Sequence, residues 1–194
     1  MGRNRAHKKY QAVVIGGSAG SFQPINELLE ALPRGFSLPV FLCLHRLKTV
    51  RHGFVEALSI RSAKEVREPM DKEKIQGGIV YLAPSNYHMC VEQDDCISLS
   101  TDELVNNSRP SIDVTFETAA YAYGEGLLAI LLSGANDDGA EGMYWVKEKG
   151  GTTVIQDPEE CSMNTMPKAA AKHAEIDYTL SYKEIIDLLI KLTV

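Results

Sequence analysis

Short runs of Val, Ile and Leu alternate along the chain with segments whose apolar residues recur at helical spacing. Apolar runs of this length, separated by amphipathic segments, are typical of a parallel sheet buried between two layers of helices. We therefore predict an α/β fold with a doubly wound, mostly parallel sheet and helices on both faces. The predicted strands are 12–15, 39–45, 65–69, 78–83, 127–133 and 152–156, with a further short strand at 176–180.

The first helix shows the signals that mark the helical segments. Apolar residues recur at helical spacing from Ile25 to Leu32, after Pro24, a residue that is favoured at the start of a helix. Pro33 and Gly35 predict its end. Further helices are predicted at about 51–61, 111–123, 138–149, 167–174 and 182–192, the last preceded by a capping box of Ser181 and Glu184.

Two features refine the predicted sheet. The segments 87–92 and 96–100 flank Asp94 and Asp95, as the strands of an antiparallel hairpin flank a turn. We expect this small antiparallel hairpin at one edge of the sheet. The segment 127–133 is the most apolar run of the chain, which predicts a central strand.

The length and composition indicate one compact unit. A chain of 194 residues with 44% hydrophobic residues can bury one substantial core, so we predict a basic tail at 1–10 and a single domain at 11–194. The formal charge of −6 provides no general positive field, which makes nucleic acid an unexpected partner. The basic tail could touch an acidic partner or an anionic membrane surface, although a solvated terminus is the simpler interpretation.

The cysteines and apolar runs predict a cellular location. Cys43, Cys90, Cys96 and Cys161 lack the CxxC spacing of zinc and redox sites and are interpreted as intracellular thiols. No apolar run reaches the roughly 18 residues that cross a bilayer, and the run at 12–15 is too short for a signal peptide. We expect a soluble, cytoplasmic protein without membrane insertion.

Ser18 is the first candidate catalytic residue. It is the central residue of GGSAG at 16–20, which matches the GxSxG pattern of a nucleophile elbow between a strand and a helix. A sharp turn there exposes the hydroxyl and leaves backbone N–H groups nearby to stabilise an oxyanion. The alternative is a glycine-rich turn that holds the phosphate of a nucleotide or sugar at a helix N-terminus.

His45 and Asp138 follow two other predicted strands. The carboxyl ends of parallel strands meet at one edge of a sheet, so these residues and Ser18 could form a catalytic triad. Taken alone, His45 could be a buried structural histidine, and Asp138 could cap the following helix together with Glu141. Asp137 is the neighbouring alternative to Asp138. The chain order Ser, His, Asp differs from the Ser, Asp, His order of α/β-hydrolases.

Six blocks of sequence carry a family resemblance. They are VVIGGSAGS at 13–21, LH at 44–45, VYLAPSNYHMCV at 80–91, RPSIDVTFETAA at 109–120, LLSGANDDGAEG at 131–142 and GGTTVIQDPEECSMNTMPKAA at 150–170. In this order, the blocks resemble the catalytic domain of the CheB family, the bacterial chemotaxis protein-glutamate methylesterases. The resemblance covers nearly the whole chain, from about Ala12 to Val194.

This resemblance implies a doubly wound parallel sheet and a specific reaction. Members of the family hydrolyse glutamyl methyl esters on membrane-bound chemoreceptors and release methanol, and related enzymes also deamidate receptor glutamines. Ser18 falls at the family's nucleophile, His45 at its histidine and Asp138 at its aspartate, so Asp138 is preferred over Asp137. The resemblance implies neither a metal nor an organic cofactor.

The sequence departs from the family around the expected oxyanion hole. Ala19 and Ser21 replace the usual Thr and Gly after the nucleophile, and the usual Gly-Met-Gly becomes Gly-Ala-Asn at 134–136. We expect the backbone N–H groups of Ala19 and the loop at Ala135 to form the oxyanion hole. The same departures permit an alternative function, a non-catalytic protein-binding module with a degenerate site.

Charged residues and domain content raise further expectations. Arg46, Lys48 and Arg51 follow the histidine and could contact an acidic substrate, with Arg46 nearest the site, although a solvated charged loop is the simpler interpretation. The family commonly carries an N-terminal receiver domain, whereas this chain begins almost at the first strand. We therefore expect regulation that is different, in trans or absent. The sequence leaves the oligomeric state open.

Overall fold

The computed structural model describes residues 10–46 and 53–192. The strands are β1 Ala12–Gly17, β2 Val40–Leu44, β3 Glu65–Arg67, β4 Glu73–Lys74, β5 Ile79–Leu82, β6 His88–Val91, β7 Cys96–Ser100, β8 Leu127–Leu131, β9 Thr152–Gln156 and β10 Tyr178–Leu180. The helices are α1 Phe22–Ala31, α2 Phe54–Ser59, α3 Ile112–Tyr123, α4 Ala140–Glu148, α5 Thr165–His173 and α6 Tyr182–Lys191. Nearly all of the predicted basic tail lies outside the described residues, as does the start of the helix predicted at 51–61.

Among the described residues, seven strands form one sheet in the order β10-β9-β8-β1-β2-β5-β3, and every neighbouring pair is parallel. This confirms the predicted α/β fold with a mostly parallel sheet. The middle strand is β1, with three strands on each side of it. The run at 127–133 was predicted as central; its strand β8 lies directly beside β1 and is fully buried.

Helices cover both faces of the sheet, and β1 shows why. Its side chains alternate between two apolar cores, as the geometry of a strand requires. Ala12 and Val14 belong to a core with residues of α3, α4 and α5. Val13 and Ile15 belong to a second core with residues of α1, α2 and α6. A strand buried on both faces carries no polar alternation, which explains its continuous apolar sequence.

The predicted hairpin forms, but it belongs to a second sheet. Strands β6 and β7 pair in antiparallel fashion, and the two-residue strand β4 adds to β7, giving a three-stranded sheet apart from the large one. The small sheet packs against α3: Thr115 Oγ1 donates to the Met89 carbonyl at 2.9 Å, and the Val91 N–H donates to Thr118 Oγ1 at 3.1 Å. The hairpin therefore does not extend an edge of the parallel sheet.

The register between β1 and β2 fixes the position of the site. Gly17 pairs with Leu44, and the His45 N–H continues the ladder by donating to the Gly17 carbonyl at 3.2 Å. Ser18 and His45 therefore leave adjacent strands at the same edge of the sheet. In the described residues, no helix has the length and apolar character needed to span a membrane.

Candidate active site

The turn after β1 holds Ser18 at the carboxyl edge of the sheet. The Ser18 N–H donates to the Ser133 carbonyl at 2.9 Å, and the Ser18 carbonyl accepts from the N–H and the hydroxyl of Ser21 at 3.0 and 2.7 Å. Gly20 follows with φ +83°, a left-handed conformation that favours glycine. The backbone of the turn is thus tied to the segment after β8 on one side and to the start of α1 on the other.

His45 links the serine to a carboxylate. Its Nδ1 lies 3.2 Å from Ser18 Oγ, and its Nε2 lies 2.6 Å from Asp138 Oδ2. The structure therefore brings together all three residues that the sequence predicted at separate strand ends. Asp137, the alternative to Asp138, is exposed, whereas Asp138 is fully buried.

The Asp138 carboxylate is held by hydrogen bonds from several directions. Besides His45, the donors are the Ile112 N–H at 2.7 Å, Ser111 Oγ at 2.8 Å, the Asp113 N–H at 3.1 Å and Asn106 Nδ2 at 3.2 Å. Because these groups surround the start of α3, Asp138 binds the N-terminus of α3 and not that of α4, the helix that follows it. The interpretation of Asp138 as a cap of its own following helix is therefore wrong.

These donors set the charge of Asp138. Burial alone would raise the pKa of this carboxyl, but hydrogen bonds from His45 and from the N–H groups of Ile112 and Asp113 outweigh burial and lower the pKa below its usual value. Asp138 is consequently ionised at neutral pH and accepts all of its hydrogen bonds. An ionised carboxylate in this position can orient an imidazole and stabilise it once it is protonated.

Comparisons with known proteins identify the chain's relatives. A model of the CheB methylesterase family matches residues 13–189. The chain belongs to the CheB methylesterase family. It is 31% identical to the CheB methylesterase catalytic domain of Thermotoga maritima, whose crystal structure superposes with a TM-score of 0.88 over 94% of this chain and 98% of that one.

Curated relatives of this family differ in length. A putative protein-glutamate methylesterase/protein-glutamine glutaminase of Leptospira interrogans is 40% identical over 183 residues, which cover 94% of this chain and 95% of the relative. A protein-glutamate methylesterase/protein-glutamine glutaminase of Clostridium acetobutylicum is 31% identical over 182 residues. This chain covers 53% of the Clostridium protein's length.

At two positions beside the site, Ala19 and Ala135, the chain departs from the CheB family pattern. Ala19 and Ala135 are both exposed. The Ala19 carbonyl is 2.9 Å from Ser133 Oγ, and Gly134 donates its N–H to the Met163 carbonyl at 2.9 Å, so both loops are fixed by their neighbours. Within residues 10–46 and 53–192, the N–H groups of Ala19 and Ala135 donate to no other group, which leaves them available to a ligand.

Arg46 differs from the expectation of a charge that faces a substrate. Its side chain is only 3% exposed and forms an ion pair with Glu68. It also donates to the Ala83 carbonyl at 3.0 Å and lies over the Phe54 ring, 5.2 Å from its centroid. Arg46 is thus buried among structural partners, and this geometry lends no support to a contact with substrate. Lys48 and Arg51 lie outside the described residues.

Several residues of the site are not predicted by the sequence. Asn106, Ser111 and Asp113 surround Asp138, and Ser133 fixes the elbow. Ser111 and Asp113 belong to the RPSID block, which carried the family resemblance without any role for its members. In the described part of the chain, no group of three or more His, Cys, Asp and Glu residues is arranged to hold a metal ion.

Proposed function

We propose that this chain is a protein-glutamate methylesterase that hydrolyses glutamyl methyl esters with Ser18 as the nucleophile. The observation that carries the proposal is the hydrogen-bonded series from Ser18 through His45 to Asp138, in a chain of the CheB methylesterase family. The relatives named as methylesterases support the same substrate class.

The first half of the reaction forms an acyl-enzyme. His45 Nδ1 takes the Ser18 hydroxyl proton as Ser18 Oγ bonds to the ester carbonyl carbon, whose π electrons move to the carbonyl oxygen. When this tetrahedral intermediate collapses, the bond to the methoxy oxygen breaks and that oxygen takes the proton from His45. Methanol leaves, and the glutamyl group remains esterified to Ser18.

The second half returns the enzyme to its starting state. A water molecule gives one proton to His45 Nδ1 and bonds to the acyl carbon. Collapse of the second intermediate then breaks the bond to Ser18 Oγ, which recovers its proton from His45. The products are a free glutamate side chain and the original serine. A glutamine side chain enters the same sequence with ammonia as the leaving group, in keeping with the glutaminase part of the relatives' names.

The ring nitrogens of His45 have an orientation opposite to that of the serine-protease triad. In that triad, Nε2 faces the serine and Nδ1 donates to the aspartate, whereas here Nδ1 faces Ser18 and Nε2 faces Asp138. Neutral His45 therefore carries its proton on Nε2, where Asp138 accepts it. This tautomer leaves Nδ1 free to accept the Ser18 proton.

We assign oxyanion stabilisation to the free N–H groups of Ala19 and Ala135. Both donors are on exposed loops that hydrogen bonds hold in place beside the elbow. Backbone donors of this kind stabilise the negative charge that develops on the carbonyl oxygen. Because backbone groups supply them, alanine at these two positions is compatible with catalysis.

We further propose that the substrate is a methylated chemoreceptor segment, as the family membership suggests.

The rival phosphate-binding function is disfavoured by one observation: the Ser18 N–H, which a phosphate loop would present to its ligand, already donates to the Ser133 carbonyl at 2.9 Å. A non-catalytic binding module would retain the fold but would not turn over an ester.

The direct test measures methanol released from a methylated receptor fragment. Ser18→Ala should reduce the rate by several orders of magnitude, because the acyl-enzyme can no longer form. Ser98→Ala, on the small antiparallel sheet, is the matched control and should retain the wild-type rate. Equal methanol release by the wild type and Ser18→Ala would refute the proposed nucleophile, and a folded but inactive wild type would favour the binding module.

A further inference from the structure

The helices α3 and α4 begin side by side. The N-terminus of each helix donates hydrogen bonds to an aspartate located at the start of the neighbouring helix. Asp138, just before α4, accepts from the N–H groups of Ile112 and Asp113 at the start of α3. Asp113 Oδ1 in turn accepts from the N–H groups of Gly139 and Gly142, at 2.8 and 2.7 Å. This reciprocal arrangement places two buried aspartates next to each other.

Two neighbouring carboxylates repel each other when both are ionised. Burial and the adjacent Asp138 charge raise the pKa of Asp113, and they outweigh the hydrogen bonds from the N–H groups of Gly142 and Gly139, which lower it. Asn106 Nδ2 donates to both aspartates, at 2.6 Å to Asp113 Oδ2 and at 3.2 Å to Asp138 Oδ1. In the described residues, it is the one side chain that hydrogen-bonds both carboxylates.

The local backbone fixes the direction of the Asn106 side chain. Asn106 and Asn107 both have left-handed backbone conformations, with φ of 51° and 58°, which asparagine tolerates better than most residues. The turn is closed by Val105 and Ser108, whose backbones exchange hydrogen bonds at 3.2 and 2.8 Å. A tight turn of this kind holds the amide in position from one side, independently of the helices.

We propose that Asn106 is a positioning residue for the ester hydrolysis: by bridging Asp113 and Asp138, it holds the Asp138 carboxylate oriented toward His45. The proposal rests on the proposed methylesterase function. Asn106 hydrogen-bonds neither Ser18 nor His45 in the described structure, so it acts through Asp138. Without the bridge, a proton on Asp113, whose pKa is raised, becomes the alternative means of relieving the repulsion between the two carboxylates.

The two asparagines of the turn offer a matched pair of variants. Glycine accepts the left-handed conformation at either position, so Asn106→Gly removes the bridging amide while the turn is preserved. Asn107→Gly makes the same change one residue away, at a side chain that hydrogen-bonds nothing in the described residues. We expect Asn106→Gly to lower kcat for methanol release by about tenfold, the effect of losing the hydrogen bond to the charged Asp138, the one of its two bonds that acts on the triad. Its KM should not change, and Asn107→Gly should match the wild type.

The pH profile distinguishes positioning from a structural role. In Asn106→Gly, Asp113 should keep its proton to a higher pH, because the amide that favours its charged form is gone, so the acid limb of kcat against pH should shift upward. The double variant Asn106→Gly with Asp113→Asn removes the repelling charge and should return this limb toward the wild-type position. Each variant is assayed well below its melting midpoint, so that loss of folding does not enter the rates.

The outcomes separate this inference from the proposed function. If the wild type releases methanol and the two glycine variants share its kcat and pH profile, Asn106 has no positioning role and the methylesterase assignment stands. If Asn106→Gly loses activity without a shift of the acid limb, the bridge does not act through the carboxylates and the inference fails. A folded wild type without methanol release would overturn the proposed function and this inference with it.

Discussion

Asp138 combines two tasks in one buried side chain, because it accepts from His45 and from the first N–H groups of α3. Asp138→Asn keeps the size of the side chain but replaces one acceptor oxygen with a donor. The variant should misorient His45 or stabilise its other tautomer. We expect methanol release to fall by about 10⁴-fold, the loss seen for this change in a serine-protease triad.

Asp137→Asn is the control for this substitution, because Asp137 is adjacent in sequence but exposed. It should retain nearly the wild-type rate. Steady-state assays of both variants, with circular dichroism to verify folding, make the comparison. A similar rate for the two variants would remove Asp138 from the mechanism.

Gly20 provides a prediction about the shape of the elbow. A Cβ atom at this position would lie 1.8 Å from Ser162 Oγ and 2.9 Å from Ser133 Oγ, in a backbone with φ +83°. Gly20→Ala should therefore destabilise the protein by more than the roughly 1 kcal/mol expected for a left-handed alanine alone. It should also reduce methanol release, because Ser133 supports the turn that carries Ser18.

Gly53→Ala isolates the backbone contribution of such a change. Gly53 has φ +84°, but among the described residues a Cβ atom there would meet nothing within 4 Å. Urea unfolding of both variants measures the difference between them. If Gly20→Ala and Gly53→Ala lost the same unfolding free energy, the side chains around Gly20 would have to move aside without destabilising the fold, which contradicts their close approach to the added Cβ atom.

The sequence predicts some residues of the site better than others. Ser18, His45 and Asp138 each follow a strand, so the rule that parallel strands end at a common edge is enough to group them. Asn106 could not be found in this way. It belongs to an irregular polar segment, and its contact with Asp113 and Asp138 depends on how α3 and α4 are placed.

At the scale of elements, the strongly apolar segments are the predictable ones. The strands β1, β2 and β8 are buried along their whole length, and their apolar runs indicate them from sequence. The strand β4 has two residues and no such run. Its formation depends on pairing with β7, a tertiary contact that periodicity does not reveal.

Asp177 gives an element-scale prediction about pH. It joins three segments, because it accepts from the N–H and hydroxyl of Thr153 on β9 and pairs with Lys147 on α4 at 2.5 Å. Burial opposes its charge, but Lys147 and Thr153 outweigh burial and lower the pKa of Asp177 below its usual value. A carboxyl whose pKa is lower in the folded state than in the unfolded state stabilises the fold at pH values above its unfolded-state pKa. This stabilisation disappears as the pH falls through its folded-state pKa.

Asp177→Asn should consequently be less stable than the wild type at pH 7 and at pH 5, and the difference should narrow at pH 3. Chemical unfolding at the three pH values provides the measurement. Asp187→Asn, on α6, serves as the comparison, since Asp187 makes none of these contacts. A difference between wild type and Asp177→Asn that is constant with pH would rule out an electrostatic contribution of the carboxylate.

At the scale of the whole molecule, the site lies where the chain builds its sheet in two directions from β1. Ser18 follows β1, His45 follows its neighbour β2 on one side, and Asp138 comes after its neighbour β8 on the other. The fold class is predictable because buried parallel strands have a recognisable composition. The strand order is not predictable in the same way: the most apolar run forms β8, whereas the middle strand is β1, since two fully buried strands are not ranked within a sheet by their composition.

The proposed chemistry depends above all on Ser18 being a nucleophile activated through His45 and Asp138. Labelling with a serine-directed fluorophosphonate, followed by peptide mapping by mass spectrometry, tests this claim most directly. We predict one adduct on Ser18 of the folded wild type, none in Ser18→Ala and a much slower reaction in Asp138→Asn. An unlabelled Ser18 in a sample that hydrolyses the methyl ester, or labelling at the same rate in Asp138→Asn, would contradict it.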